Sequence, residues 1–173
     1  MSYPHLYLRA RDGKLRCWCA TTLQREGLSE VFLEDLIAED LSALALPAHG
    51  IRYTQARSFR QVTLNTADGR KIRPDLIALT DTGHVIIIEV KRLGNPELRG
   101  RAVIAQTLDY VAGITTIDER ALCLKLSGGQ SETLEALTAL CFPSATHPDW
   151  LARDYRRALA TRRAVTASLF RSA

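Results

Sequence analysis

Seven consecutive residues, Val85-Ile86-Ile87-Ile88-Glu89-Val90-Lys91, constrain this chain more than any others. β-Branched side chains favour extended backbone, because the crowded Cβ packs well on a pleated surface. A strand that is apolar without alternation keeps no face for water, so the run predicts a strand buried on both sides. A layered α/β architecture, with helices over both faces of a sheet, supplies such a place. Glu89 and Lys91 at the end of the strand then need a reason, because a buried charge is costly unless it is paired.

The flanking pattern fits layers. HLYLR at 5–9 and KLRCWCA at 14–20 alternate around the turn signal Arg11-Asp12-Gly13 and predict a β-hairpin. From Ser29 to Leu46 the period becomes helical, with Val31, Leu33, Ile37, Leu41 and Leu44 on one apolar face, Ser29 as N-cap and Glu30 in the first turn. Strand-forming segments follow at 51–58, 60–66 and 71–80, with turns at Ala67-Asp68-Gly69 and Asp81-Thr82-Gly83. Residues 97–113 predict an amphipathic helix. Thr116-Ile117-Asp118-Glu119 has the form of a capping box and favours helix to Leu126, although Leu122, Leu124 and Leu126 alternate as in a strand. Residues 131–141 and 149–167 predict further helices, separated by Pro143 and Pro148. No linker divides the 173 residues, so the expectation is a single domain: an N-terminal hairpin over 1–27, a core over 28–127 and C-terminal helices over 128–173.

Composition narrows the function. Cys17, Cys19, Cys123 and Cys141 form no C-x-x-C pair and have no histidine at zinc-ligand spacing, so they read as reduced, packed thiols. His5, His49, His84 and His147 are scattered, and Ser127-Gly128-Gly129 lacks the G-K-[ST] of a phosphate cradle. Trp18 and Trp150 read as packing residues. No apolar run has membrane length and no signal-peptide pattern opens the chain, which leaves the cytoplasm as the expected location and no membrane partner. The net charge of +4 suits a polyanionic partner but does not single one out. Its distribution says more: Arg92, Arg99 and Arg101 cluster after the buried strand, and Arg153 to Arg163 is either a solvated helix face or a nucleic-acid contact.

Pro74-Asp75 and Glu89-Val90-Lys91 carry the chemistry. Asp75, Glu89 and Lys91 share parity, so an odd-numbered hairpin loop such as Asp81 to Gly83 sets Asp75 opposite Glu89 on one face. Opposed Cβ atoms lie about 4.5–5.5 Å apart, close enough for two carboxylates to share a Mg²⁺ or Mn²⁺ ion. Such an ion polarises a phosphoryl oxygen and activates water, and a lysine two residues on can orient that water or stabilise charge on the phosphate. A structural ion pair between Lys91 and either carboxylate is the alternative.

With these motifs the segment Ile72 to Gly113 resembles the core of the PD-(D/E)XK nuclease superfamily. Pro74-Asp75 matches its first motif, Glu89-Val90-Lys91 its second, and Gln106-Thr107-Leu108-Asp109-Tyr110 the Q-x-x-x-Y element of its RecB-type branch. Upstream, Glu30-Val31-Phe32-Leu33-Glu34-Asp35 resembles the helix that supplies an extra acidic ligand in related endonucleases, including mismatch-cleaving ones. The resemblance implies a restriction-endonuclease-like αβββαβ core with a central mixed sheet. It also implies metal-dependent phosphodiester hydrolysis, usually of DNA, with RNA as the alternative substrate and an inactive nucleic-acid-binding or assembly module as the alternative role. By that match Glu30, Asp75 and Glu89 hold the metal, with Glu34 the alternative to Glu30. Lys91 assists the water, Gln106 and Tyr110 position Lys91 or the nucleic acid, and Arg92, Arg99 and Arg101 contact phosphates. A small nuclease of this type is expected to use a homodimer or a targeting partner. A fourth core strand after Tyr110 is not evident in the sequence.

Overall fold

Strands and helices follow one another along the chain in the order β1 (His5–Arg9), β2 (Leu15–Cys19), α1 (Glu30–Glu39), β3 (Ala56–Arg60), β4 (Leu64–Asn65), β5 (Lys71–Ile72), β6 (Leu76–Thr80), β7 (Val85–Val90), α2 (Ala102–Ile114), α3 (Glu119–Leu126), α4 (Leu134–Cys141), α5 (Pro148–Ala160) and β8 (Val165–Leu169). The computed structural model describes residues 5–9, 15–19, 29–44, 46, 50–91, 102–161 and 165–169, with the backbone alone at 5–9, 15–19, 43, 103–104 and 165–169. The chain is mixed α/β, and none of its described helices is long and apolar enough to cross a membrane.

The main sheet has the order β3-β6-β7-β8. β3, β6 and β7 are antiparallel neighbours, and β8 joins β7 in parallel, pairing Ile87 with Thr166 and Val90 with Leu169. As its apolar run requires, every residue of β7 is buried. Its odd and even residues enter different cores. Ile77, Leu79, Val85 and Ile87 pack with Tyr110, Ile114, Leu122, Leu137 and Tyr155 from α2 to α5. Leu76, Ala78, Ile86, Ile88 and Val90 pack with Ile37 of α1 and with Leu41, Leu44 and Leu46 beyond it. The sheet is therefore the middle of three layers. A buried hydroxyl needs a partner, and Tyr155 finds one in the Thr80 carbonyl, which fastens α5 to β6.

Several boundaries differ from the sequence expectation. The first helix ends at Glu39, and Leu41–Leu44 form a separate 3-10 turn whose entry is set by Asp40, whose carboxylate accepts the Ser42 N–H at 2.8 Å. The segment expected as strand from Ile51 begins only at Ala56, because Asp81 captures the N–H groups of Thr54 and Gln55 in a turn. Asp118, not Thr116, caps α3 by accepting the Ala121 N–H at 2.9 Å, so 119–126 is helix. The larger correction lies at the C-terminal side. The helix predicted over 149–167 stops at Ala160, and 165–169 is a strand of the main sheet. Residues 128–173 thus complete the sheet rather than only adding helices to it. Trp150, expected to pack, is 59% exposed and stacks on His147 with ring centroids 4.2 Å apart. The turn at 11–13 and the positions Arg92, Arg99 and Arg101 lie outside the described residues.

Candidate active site

The β6–β7 hairpin builds the centre of the site. Leu76 pairs with Ile88 and Leu79 with Val85, and the Thr80 N–H reaches the His84 carbonyl at 3.1 Å, which leaves Asp81, Thr82 and Gly83 as the loop. Continuing this register by one position sets Asp75 across from Glu89, the arrangement that an odd loop requires. Gly83 turns the chain with φ of 80°, a conformation favourable only without a Cβ, and a Cβ there would meet that of Asp154 at 2.6 Å. The loop, the register and the pairing of the two carboxylates are linked through that residue.

Asp75 sits at the sheet's end, where its Oδ2 accepts the Val90 N–H at 2.7 Å. Burial raises its pKa, that hydrogen bond opposes the rise, and Glu34 and then Glu30 add to it by repulsion. Glu89 is 2% exposed, and Lys91 Nζ lies 2.7 Å from its Oε1. Burial likewise raises the pKa of Glu89; the Lys91 hydrogen bond counteracts this and Asp75 reinforces it. The second oxygen of Glu89, Oε2, is buried without a hydrogen-bond partner. Two desolvated carboxylates that repel one another, with one oxygen unsatisfied, form a site that a cation would stabilise.

Helix α2 brings the Q-x-x-x-Y pair to this centre. Gln106 Nε2 donates to the Tyr110 hydroxyl at 2.6 Å, and that hydroxyl donates to the Arg73 carbonyl at 3.2 Å, two residues before Asp75. Burial raises the Tyr110 pKa, and Glu89 and Asp75 push it further up, which puts the phenol within their field. Gly113 lets α2 settle on the β4–β5 hairpin: a Cβ there would stand 3.0 Å from Thr66 Cγ2 and 3.1 Å from Ile72 Cδ1.

From α1 it is Glu34, 5% exposed, that is buried beside this centre, while Glu30 is half-buried on the helix's first turn. Glu30 was the better positional match. Burial and the stronger repulsion on Asp75 favour Glu34. Among the described residues, no group of three or more His, Cys, Asp and Glu side chains is arranged to hold a metal ion, so Glu30, Asp75 and Glu89 do not form a ready three-ligand cage. A hard cation here fits two carboxylates, with water and substrate oxygens completing its shell, as Mg²⁺ often binds.

The sequence reading passed over Arg60 and Gln61. Arg60 pairs with Asp35 and approaches Glu34 Oε2 at 3.5 Å, while Gln61 Nε2 donates to the same oxygen at 3.0 Å. No periodicity could have found them, because their role comes from contacts with α1, about 25 positions earlier in the chain. Elsewhere the C-terminal arginines are partly spent, with Arg156 bridging Glu119 at 2.7 Å and Glu135 at 2.6 Å. The buried thiols Cys123 and Cys141 are free, and burial raises the first to about 12, so neither is an activated nucleophile. Comparison with protein-family models, curated proteins and solved structures gives no match to this chain.

Proposed function

We propose that this chain is a metal-dependent nuclease of the PD-(D/E)XK type, hydrolysing phosphodiester bonds in DNA, with the cytoplasm as its setting. The observation that carries the reading is the meeting of Asp75, Glu89 and Lys91 at one end of the sheet, with Glu89 Oε2 buried and unsatisfied. The order α1, β3, β6, β7, α2 and a parallel β8 supports a restriction-endonuclease-like core, with β8 as its last strand. Gln106 and Tyr110 beside the acids support the RecB-type resemblance.

Asp75 and Glu89 would hold Mg²⁺ or Mn²⁺, which when bound polarises a phosphoryl oxygen and makes water a better nucleophile. The Val90 N–H fixes the Asp75 carboxylate, and the Tyr110 hydroxyl fixes the chain just before it. Lys91 reaches the site from the same strand end, where its ammonium can orient a water or stabilise charge on the phosphate. Arg92, Arg99 and Arg101 follow in sequence and are assigned to phosphate contacts. We assign substrate recognition to a second copy of the chain or to a targeting protein.

The test is cleavage of supercoiled plasmid, single-stranded DNA and structured RNA with Mg²⁺, Mn²⁺ or EDTA, beside Asp75→Ala and Lys91→Ala. Metal-dependent cleavage lost in both variants, with Lys91→Ala still binding Mn²⁺, is the expected result, and the preferred substrate decides between DNA and RNA. One observation favours a non-catalytic nucleic-acid-binding module: the 2.7 Å Glu89–Lys91 pair engages the lysine as a structural ion pair does. Nucleic-acid binding without cleavage, unchanged in both variants, would select that role.

A further inference from the structure

Among the described residues, Gln61 is the one non-glycine with positive φ, at 46°. Left-handed backbone crowds a Cβ, so an ordinary side chain stays there only where its surroundings hold it. Four hydrogen bonds do so. The Gln61 N–H donates to the Asp75 carbonyl at 2.8 Å, and the Gln61 carbonyl accepts from Arg73 Nε at 3.3 Å. Its side-chain Oε1 accepts from an Arg73 guanidinium nitrogen at 2.7 Å, and its Nε2 donates to Glu34 Oε2 at 3.0 Å. One residue thus joins the main chain of Asp75 to a buried carboxylate on α1.

We infer that Gln61 is a positioning residue that holds Glu34 against the Asp75–Glu89 centre, so that Glu34 serves a cation there through bound water. This rests on the metal-site reading proposed above. The hydrogen bonds from Arg60 and Gln61 both fall on Glu34 Oε2, which leaves Oε1 free of hydrogen bonds to the other described residues. An outer carboxylate of this kind orients the water shell that a small divalent cation retains. The strain at Gln61 has a use on this account. A left-handed turn directly after β3 points one amide toward α1 while the backbone stays bonded to Asp75.

The experiment is titration of the purified protein with Mn²⁺ alone by calorimetry, comparing wild type with Gln61→Gly, Glu34→Gln, the double variant and Asp75→Ala. Glycine accepts the left-handed backbone and keeps the N–H to Asp75 while losing both side-chain bonds. Gln61→Gly should fold, and Mn²⁺ should bind it roughly 10–100-fold more weakly, the usual effect of removing an outer-shell partner. Glu34→Gln should weaken binding similarly, and the double variant should be no weaker than either, because the two act as one unit. Gln61→Asn, of a type that also tolerates this backbone but with a shorter reach, should behave as Gln61→Gly does. Wild-type affinity in Gln61→Gly, or losses that multiply in the double variant, would overturn the positioning role alone. No Mn²⁺ binding by the wild type, or equal binding by Asp75→Ala, would overturn the metal site and this role together.

Discussion

Asp75 and Glu89 place their carboxylates where solvent is scarce and each other's charge is near. Both pKa values are raised, first by burial, so the folded state keeps its protons to higher pH than the unfolded chain does. A raised carboxylate pKa means that ionisation opposes folding. Metal-free protein should therefore lose stability as pH climbs from about 4 through the raised pKa values, and regain it below that window. Saturating Mg²⁺ should flatten this dependence, because a cation compensates the charges; thermal melts from pH 4 to 8 with and without Mg²⁺ measure it. For the same reason Asp75→Asn should raise the Tm of the metal-free protein at pH 7 and, on the proposed function, abolish cleavage. A lower Tm would mean that the Val90 N–H bond outweighs the desolvation.

At the level of elements, the hairpin loop decides which residues meet. Gly83→Ala combines a disfavoured φ with a contact to Asp154 Cβ and should cost at least about 1 kcal/mol, read from urea unfolding. Adding Asp154→Ala should leave most of that loss, because alanine keeps the Cβ that stands 2.6 Å away and the backbone strain is unchanged. The opposition of Asp75 and Glu89 was legible in the sequence, because parity and a three-residue turn are local properties. β7 was legible for its composition, and helix over 119–126 for its polar start, although the cap fell on Asp118 and not on Thr116. β8 was not. Val165-Thr-Ala-Ser-Leu follows a helix whose period runs into it, and its identity as a strand comes from pairing with β7, a partner distant in sequence. Gln61 was equally hidden, because a left-handed glutamine follows from tertiary hydrogen bonds and not from propensity. Position in the sequence ranked Glu30 above Glu34, and burial, a tertiary property, reverses the order.

At the scale of the molecule the main sheet lies between two apolar layers, and both depend on β7. Ile87→Ala empties a fully buried position in the larger core and should cost about 2–5 kcal/mol by chemical denaturation. Ending the chain after Thr161 removes β8 and bares the edge of β7; the shortened protein should elute as aggregates or oligomers in size-exclusion chromatography. The parallel pairing also has a consequence in time. A ribosome makes Glu89 long before Ser168, its neighbour across the sheet, so during synthesis the strand that carries the acidic centre waits with an open side. Contacts so far apart in sequence form slowly, and an apolar strand left waiting is open to joining another chain. Yield of folded protein should therefore depend on how fast the last strand arrives and on what shields β7 until then, more than on the stability of the finished molecule.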